Sequence, residues 1–176
     1  MMALPARILV FTGDGKGKTT AALGMALRAS GHGMRTLVVQ FVKADASTGE
    51  VIAARGLRDI EIVQTGLGFL PEGDDPRLAA HKEAASRGLS TAAEAIASGK
   101  YGLVVLDEVC YAVHRGLLRE EQVCDVVRRA PPGSCIVLTG RGATEGLIRL
   151  ADTVTDMHCV KHAHQEGSEG QRGVEK

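Results

Sequence analysis

The sequence contains no tryptophan, and its three Phe and two Tyr make up only 3% of the 176 residues. Proteins that hold single-stranded nucleic acid usually stack the bases on aromatic side chains along a positively charged groove. Lys plus Arg and Asp plus Glu are equal, at 21 each, so the chain also has no net charge to attract a polyanion. We therefore expect neither nucleic acid nor an anionic membrane among its partners.

The sequence also lacks a hydrophobic run long enough to span a bilayer, and residues 1–7 are too few for a secretory signal peptide. Its four cysteines lie far apart and form no Cys-x-x-Cys pair, which is typical of reduced thiols in a cytoplasmic protein. With 44% hydrophobic residues the chain can bury a full core. We expect one cytoplasmic domain over residues 1–176, with a polar tail from about residue 161.

Short apolar runs alternate with helical patterns along the chain. Strands are predicted at residues 8–12, 36–42, 60–64, 101–106, 135–139 and 153–157. Helices are predicted at residues 18–30, 49–55, 77–98, 120–129 and 143–151, with a Gly- and Pro-rich loop at 66–76. This alternation predicts an α/β fold, with a mainly parallel sheet covered by helices on both faces. Ligands of such a sheet bind at the carboxyl ends of its strands.

The first predicted strand leads directly into a glycine-rich loop, which we define as residues 13–17. Its glycines let the backbone N–H groups point inward, a lysine adds a positive charge, and a helix N-terminus follows; together these bind a polyphosphate. The candidate ATP-binding residues are Gly13, Asp14, Gly15, Lys16, Gly17, Lys18, Thr19 and Thr20. The loop is one residue shorter than a Walker A motif, because Thr12 occupies the place of its first glycine. We therefore expect the triphosphate to lie differently than in an ordinary ATPase.

The fourth predicted strand ends in two acids, Asp107 and Glu108. Carboxylates at this position hold Mg²⁺ in nucleotide-binding proteins, and the Thr19 hydroxyl is a second candidate ligand. We favour Glu108 as the inner ligand and keep Asp107 as the alternative. The loop and the acids together predict a three-layer P-loop NTPase domain of the RecA-like kind.

Two further features follow later strands. Arg141, between two glycines after the fifth strand, is placed to bind a phosphate or ribose oxygen, although a solvated loop arginine is the alternative. Near the sixth strand His158, Cys159, His162 and His164 lack the spacing of a zinc site, and we interpret them as a strand end and polar tail.

Several segments together resemble the ATP:cob(I)alamin adenosyltransferases of the CobA/CobO type. They include Thr-Gly-Asp-Gly-Lys-Gly-Lys-Thr-Thr at 12–20, Val-Leu-Asp-Glu-Val at 105–109 and Leu-Thr-Gly-Arg-Gly at 138–142. The resemblance extends through residues 28–33, 39–43, 150–154 and 160–163 to Gly167, Gln171 and Gly173, and so spans nearly the whole chain. The shortened loop is itself a trait of that family.

The resemblance implies a reaction in which a Co(I) corrinoid attacks the 5′ carbon of ATP and releases intact triphosphate. Lys18 and the loop would bind phosphate, Thr19 and Glu108 would hold Mg²⁺, and Arg141 would contact the nucleotide. Phe69 would lie against the lower face of the corrinoid; a loop anchor packed into the core is the alternative. The resemblance also implies a homodimer, and a flavoprotein-type reductant is one candidate partner.

The chain departs from the family pattern after the third strand. The family has Gly-Phe-Thr-Trp there, whereas this chain has Gly-Phe-Leu-Pro, so that Pro71 replaces the tryptophan. The leader before the first strand is also short. A nucleotide or small-molecule kinase, a switch or motor ATPase, and a corrinoid- and ATP-binding relative with altered activity are the alternative functions.

Overall fold

The computed structural model describes residues 4–73, 75–163, 167 and 170–174, and the structural statements below refer to those residues. Six strands form one sheet in which every neighbouring pair is parallel. They are β1 (Arg7–Thr12), β2 (Thr36–Gln40), β3 (Ile60–Gln64), β4 (Leu103–Asp107), β5 (Cys135–Thr139) and β6 (Thr153–Asp156). Their order is β3-β2-β4-β5-β1-β6. The strand that ends in the acids, β4, is thus separated by β5 from β1.

Helices cover both faces of the sheet. They are α1 (Lys18–Gly31), α2 (Gly49–Ala54), α3 (Leu78–Ser98), α4 (Val109–His114), α5 (Glu120–Val127) and α6 (Glu145–Leu150). The alanines of α1 pack with Val105 of β4 in one core cluster, whereas Val104 and Leu106 belong to a second cluster with α3, α4, α5 and α6. Alternate side chains of β4 therefore point to opposite faces of the sheet and pack into two different cores. The predicted α/β fold is confirmed.

The predicted elements are all present, and no end is shifted by more than two residues. The second strand ends at Gln40 instead of residue 42, and the fourth begins at Leu103 instead of residue 101. Helix α4 was missed by the sequence analysis. Its six residues directly follow an apolar strand and are themselves mostly apolar, so hydrophobic periodicity did not separate the two elements.

Strand β6 lies at one edge of the sheet, and all four of its residues are exposed. Its backbone pairs with β1, and the chain that follows it returns to the glycine-rich loop. Among the helices of the described residues, none is both long and apolar enough to cross a membrane.

Candidate functional site

The glycine-rich loop lies against the chain that follows β6. The Gly15 N–H donates a hydrogen bond to the Met157 carbonyl at 2.6 Å. A Cβ atom at Gly15 would come within 2.7 Å of the carbonyl oxygens of Met157 and His158, so a side chain does not fit there. Gly13 and Gly17 have φ of 91° and 121°, which favour glycine. The loop therefore needs glycine for its conformation and for its close contact with the last strand.

Lys18 is the first residue of α1, and its ammonium group points back to the loop. Its Nζ donates hydrogen bonds to the carbonyls of Gly13 at 2.6 Å and Gly15 at 2.7 Å. The side chain is only 7% exposed. Burial lowers the pKa of Lys18, and the nearby Glu108 carboxylate opposes that effect. Two carbonyl groups of the loop thus hold a partly desolvated positive charge at the start of α1.

Asp107 is the last residue of β4 and is completely buried. Its Oδ1 accepts hydrogen bonds from the hydroxyls of Thr19 at 2.7 Å and Thr139 at 2.8 Å. Its Oδ2 accepts one from the Gln40 amide at 3.2 Å and lies 3.7 Å from the Lys43 ammonium. Both carboxylate oxygens are therefore engaged by groups of the protein, and the Thr19 proton is committed to Asp107.

Glu108 has a different environment. It has φ 66° and ψ 18°, and among the described residues it is the only one other than glycine with positive φ. The Glu108 N–H donates to the Thr139 hydroxyl at 2.9 Å, and the Glu108 carbonyl accepts from Ala112 in the first turn of α4. Such backbone strain is concentrated at functional sites and persists only where surrounding contacts impose it. Here it places Glu108 at the wall of a cavity.

The Glu108 carboxylate accepts no hydrogen bond within the described part of the chain, although the residue is half-buried. Burial raises the pKa of Glu108, and the neighbouring Asp107 charge adds to this, whereas Lys18, Lys43 and Arg141 act in the opposite direction. A carboxylate of this kind has oxygen lone pairs available for a ligand.

A second layer of polar side chains supports Asp107. Lys43 pairs with Glu50 of α2 at 2.8 Å, and the Gln64 amide donates to Gln40 Oε1 at 2.9 Å. Burial disfavours the charge on Lys43, but Asp107 and Glu50 outweigh it and raise the pKa of Lys43. Burial also disfavours the charge on Glu50, but the hydrogen bond from Lys43 prevails and lowers the pKa of Glu50. Both members of the pair are therefore charged at neutral pH.

These groups surround a cavity of about 450 Å³. It is lined by Lys43, Glu50, Glu108 and all but one of the predicted ATP-binding residues: Asp14, Gly15, Lys16, Gly17, Lys18, Thr19, Thr20 and Arg141. The remaining one, Gly13, lines an adjoining cavity of about 670 Å³, which shares Asp14 and Arg141 with the first. Residues 173 and 174 form another part of the first wall, and the Lys16 ammonium donates to the Val174 carbonyl at 2.8 Å.

Phe69 lies apart from both cavities, in the loop after β3. Its side chain is fully exposed, which excludes the alternative of an anchor packed into the core. Arg141 is exposed at the border of the two cavities, and Arg28 is also exposed.

No group of three or more metal-ligating side chains occurs among the described residues. His158 lies 3.6 Å from Asp156, and His162 lines the first cavity; His164 lies outside the described residues. Glu50, Gln64 and Arg115 were not predicted from the sequence. Gln64 reaches Gln40 across 24 positions and Arg115 reaches Pro71 across 44, whereas Glu50 pairs with Lys43, seven residues before it, through a loop whose conformation has no sequence signal.

Comparison with known proteins gives the family. Residues 5–175 match the family described as ATP:corrinoid adenosyltransferase BtuR/CobO/CobP. A corrinoid adenosyltransferase of Pseudomonas aeruginosa is 44% identical over 170 residues, which cover 96% of this chain and 82% of that protein. Corrinoid adenosyltransferases of Escherichia coli K12 and Salmonella typhimurium are each 36% identical, over 96% of this chain and 84% of theirs. The chain belongs to the ATP:corrinoid adenosyltransferase family.

Proposed function

We propose that this protein transfers the 5′-deoxyadenosyl group of ATP to the Co(I) atom of a cobalamin or corrinoid precursor and releases triphosphate, in adenosylcobalamin synthesis or salvage. The observation that carries the proposal is one cavity that combines a shortened glycine-rich loop, a buried lysine and the carboxylate of Glu108. These groups can bind a polyphosphate and stabilise it as a leaving group, and the chain belongs to the corrinoid adenosyltransferase family.

The proposed reaction is a displacement at carbon. The electron pair of Co(I) forms the Co–C5′ bond, the C5′–O bond breaks with its electrons going to the triphosphate, and cobalt becomes formally Co(III). No proton is transferred at the reacting carbon, so the site needs no general base. Lys18 and the loop N–H groups stabilise the negative charge that develops on the leaving triphosphate.

The oxygen donors of Thr19 and Glu108, which line the same cavity, suit Mg²⁺. Magnesium prefers oxygen ligands, and the Glu108 carboxylate and the Thr19 hydroxyl oxygen are both of this kind. We assign Glu108 as the inner ligand, because Asp107 already accepts three hydrogen bonds and instead orients the Thr19 hydroxyl. When bound, Mg²⁺ would offset the negative charge of the triphosphate oxygens.

Arg141 and Phe69 are assigned to the two substrates. Arg141 borders both cavities with an exposed guanidinium, which suits a phosphate or ribose oxygen. Phe69 presents its entire ring to solvent beyond the nucleotide cavity, and we assign it to the corrinoid. The family resemblance further supports a cytoplasmic homodimer supplied with electrons by a flavoprotein-type reductant. Light scattering on the purified protein tests the dimer.

The deciding experiment is anaerobic incubation with MgATP and chemically reduced cob(I)alamin. We expect light-sensitive adenosylcobalamin and an equimolar amount of triphosphate. Lys18→Ala should abolish both products, whereas Lys82→Ala, which removes an exposed lysine of α3, should retain them. ADP with a phosphorylated acceptor would indicate a kinase, and ADP with phosphate would indicate an ATPase. ATP and corrinoid binding without turnover would indicate a relative with altered activity.

A further inference from the structure

Phe69 is displayed on a backbone that is fixed on both sides. Its ring is fully exposed, so a ligand or partner that covered it would gain the free energy of burying apolar surface. On one side the Gly68 N–H donates to the Val42 carbonyl at 2.8 Å. On the other side Leu70 packs against the larger core cluster. The exposed ring therefore does not belong to a loosely attached segment.

Pro71 is held by a side chain from another element. The Pro71 carbonyl accepts a hydrogen bond from Arg115 Nη2 at 3.0 Å, across 44 positions of sequence. The proline ring itself restricts the backbone angle φ at this point. Residue 71 is thus a stiff backbone unit joined to a guanidinium.

Arg115 is in turn fixed by its own helix. It caps α4, and its Nη1 donates to the Tyr111 hydroxyl at 2.7 Å. The guanidinium also lies over the Tyr111 ring, 5.6 Å from its centre. A planar guanidinium held by a ring, a hydroxyl and a carbonyl has little freedom to move.

The same helix begins at the candidate metal ligand. Glu108 is the N-cap of α4 and Arg115 its C-cap, about 10 Å apart at the helical rise per residue. We propose that Arg115 is a positioning residue that uses α4 as a rigid spacer to fix the Phe69 loop, residues 68–71, relative to the metal-binding end of the nucleotide cavity. This inference rests on the proposed function for its catalytic consequence, but the mechanical link is independent of it.

The first test follows the loop directly. Because the chain has no tryptophan, Phe69→Trp introduces a single tryptophan at the exposed position, and this residue can be excited selectively at wavelengths that the two tyrosines do not absorb. We expect time-resolved anisotropy to show little segmental motion in Phe69→Trp and clear additional motion in Phe69→Trp combined with Arg115→Met. Phe69→Trp combined with Arg128→Met is the matched control, since Arg128 is an exposed arginine at the C-cap of α5 that pairs with Asp125 and should not affect the probe. Equal motion in all three proteins would overturn the proposal, whatever reaction the protein catalyses.

The second test separates the two substrates. In Arg115→Met we expect the KM for cob(I)alamin to rise about tenfold, equivalent to about 1.4 kcal/mol for the lost charged hydrogen bond. The KM for ATP should stay near that of wild type, and the melting temperature should fall by only about 3 to 6 °C for the same loss of about 1.4 kcal/mol. Arg115→Lys, which keeps the charge but cannot reach both oxygen partners in the same geometry, should give an intermediate KM. A proportional rise in both KM values, or no change in either, would contradict a positioning role.

If Arg115→Met does not fold, Tyr111→Phe replaces it as the test. This change removes only the hydroxyl that orients the guanidinium, and we expect a smaller rise in the corrinoid KM. Combined with Phe69→Trp, it should also give faster motion of the fluorescent probe. An unchanged probe and KM would overturn the proposal. If wild type shows no transferase activity while Arg115→Met or Tyr111→Phe still mobilises the probe, the proposed function fails and the link between α4 and the loop stands.

Discussion

Neutralising the two adjacent acids one at a time should lower the stability of the folded protein in one case and not in the other. Asp107 is buried and accepts three hydrogen bonds, whereas Glu108 accepts none within the described residues. Asp107→Asn and Glu108→Gln each replace one carboxylate oxygen with an amide nitrogen. They are therefore matched changes in different surroundings.

Asp107→Asn should be destabilising. If the new amide oxygen keeps the hydrogen bonds from Thr19 and Thr139, the amide nitrogen faces the Gln40 amide and the Lys43 ammonium, which are also donors. The loss of one hydrogen bond and the burial of unpaired donors cost about 2 to 4 kcal/mol. For a chain of this length that lowers the melting temperature by roughly 5 to 15 °C.

Glu108→Gln should leave the protein without ligands as stable as wild type or more stable. Burial and Asp107 raise the pKa of Glu108, so the folded state binds this proton more tightly than the unfolded chain. Ionised Glu108 therefore destabilises the fold at neutral pH. This effect diminishes as the pH falls through the raised pKa towards the ordinary value of 4.5. The advantage of Glu108→Gln should diminish in the same interval.

The assay is urea denaturation of the three proteins at several pH values, followed by titration with MgATP. Both variants should lose most of the stabilisation that MgATP gives to wild type, because one lacks the proposed ligand and the other its support. If Asp107→Asn were as stable as wild type, or Glu108→Gln were the less stable variant, the division of roles between the two acids would be wrong.

Three further predictions concern the loop, the metal and the thiols. Gly13→Ala places a Cβ within 2.7 Å of the Met157 nitrogen at a φ of 91°, and should destabilise the protein by about 1 to 3 kcal/mol in thermal denaturation. As the pH is lowered from neutral, protonation of Glu108 should increase the Mg²⁺ concentration needed for half-maximal triphosphate release, whereas Glu108→Gln should show no such dependence. Burial raises the pKa of the Cys110 thiol to about 12, so iodoacetamide should modify the partly exposed Cys159 before Cys110, as read by peptide mass spectrometry.

Much of the fold was predictable because its signals are local. Apolar runs gave the strands, and the glycine-rich loop and the acids mark the ends of β1 and β4. Since strands of a parallel sheet present their carboxyl ends at one edge, Lys18, Thr19, Glu108 and Arg141 were expected to meet, and they line one cavity.

The unpredicted features depend on which strands become neighbours. Gln40 reaches Asp107 because β2 pairs with β4, and the same pairing brings Lys43 close to that carboxylate. No sequence spacing encodes the contact between Arg115 and Pro71, and the exposure of Phe69 depends on how Leu70 packs. The division of labour between two adjacent acids likewise appears only when their partners are known.

The position of β1 has a consequence for the order in which the protein is made. Among the described strands, β1 pairs only with β5 and β6. The pairing of Arg7 with Cys135, and that of Leu9 with Thr153, can therefore form only after those later residues have left the ribosome. Until then β2, β3 and β4 can assemble, but the backbone N–H and C=O groups of β1 are unpaired along both edges, and its apolar side chains are uncovered. The hydrogen bond between the glycine-rich loop and the Met157 carbonyl can form only after residue 157 has been synthesised. Formation of the ATP site through the glycine-rich loop therefore requires nearly the whole chain, so ATP cannot stabilise a shorter nascent chain through this site.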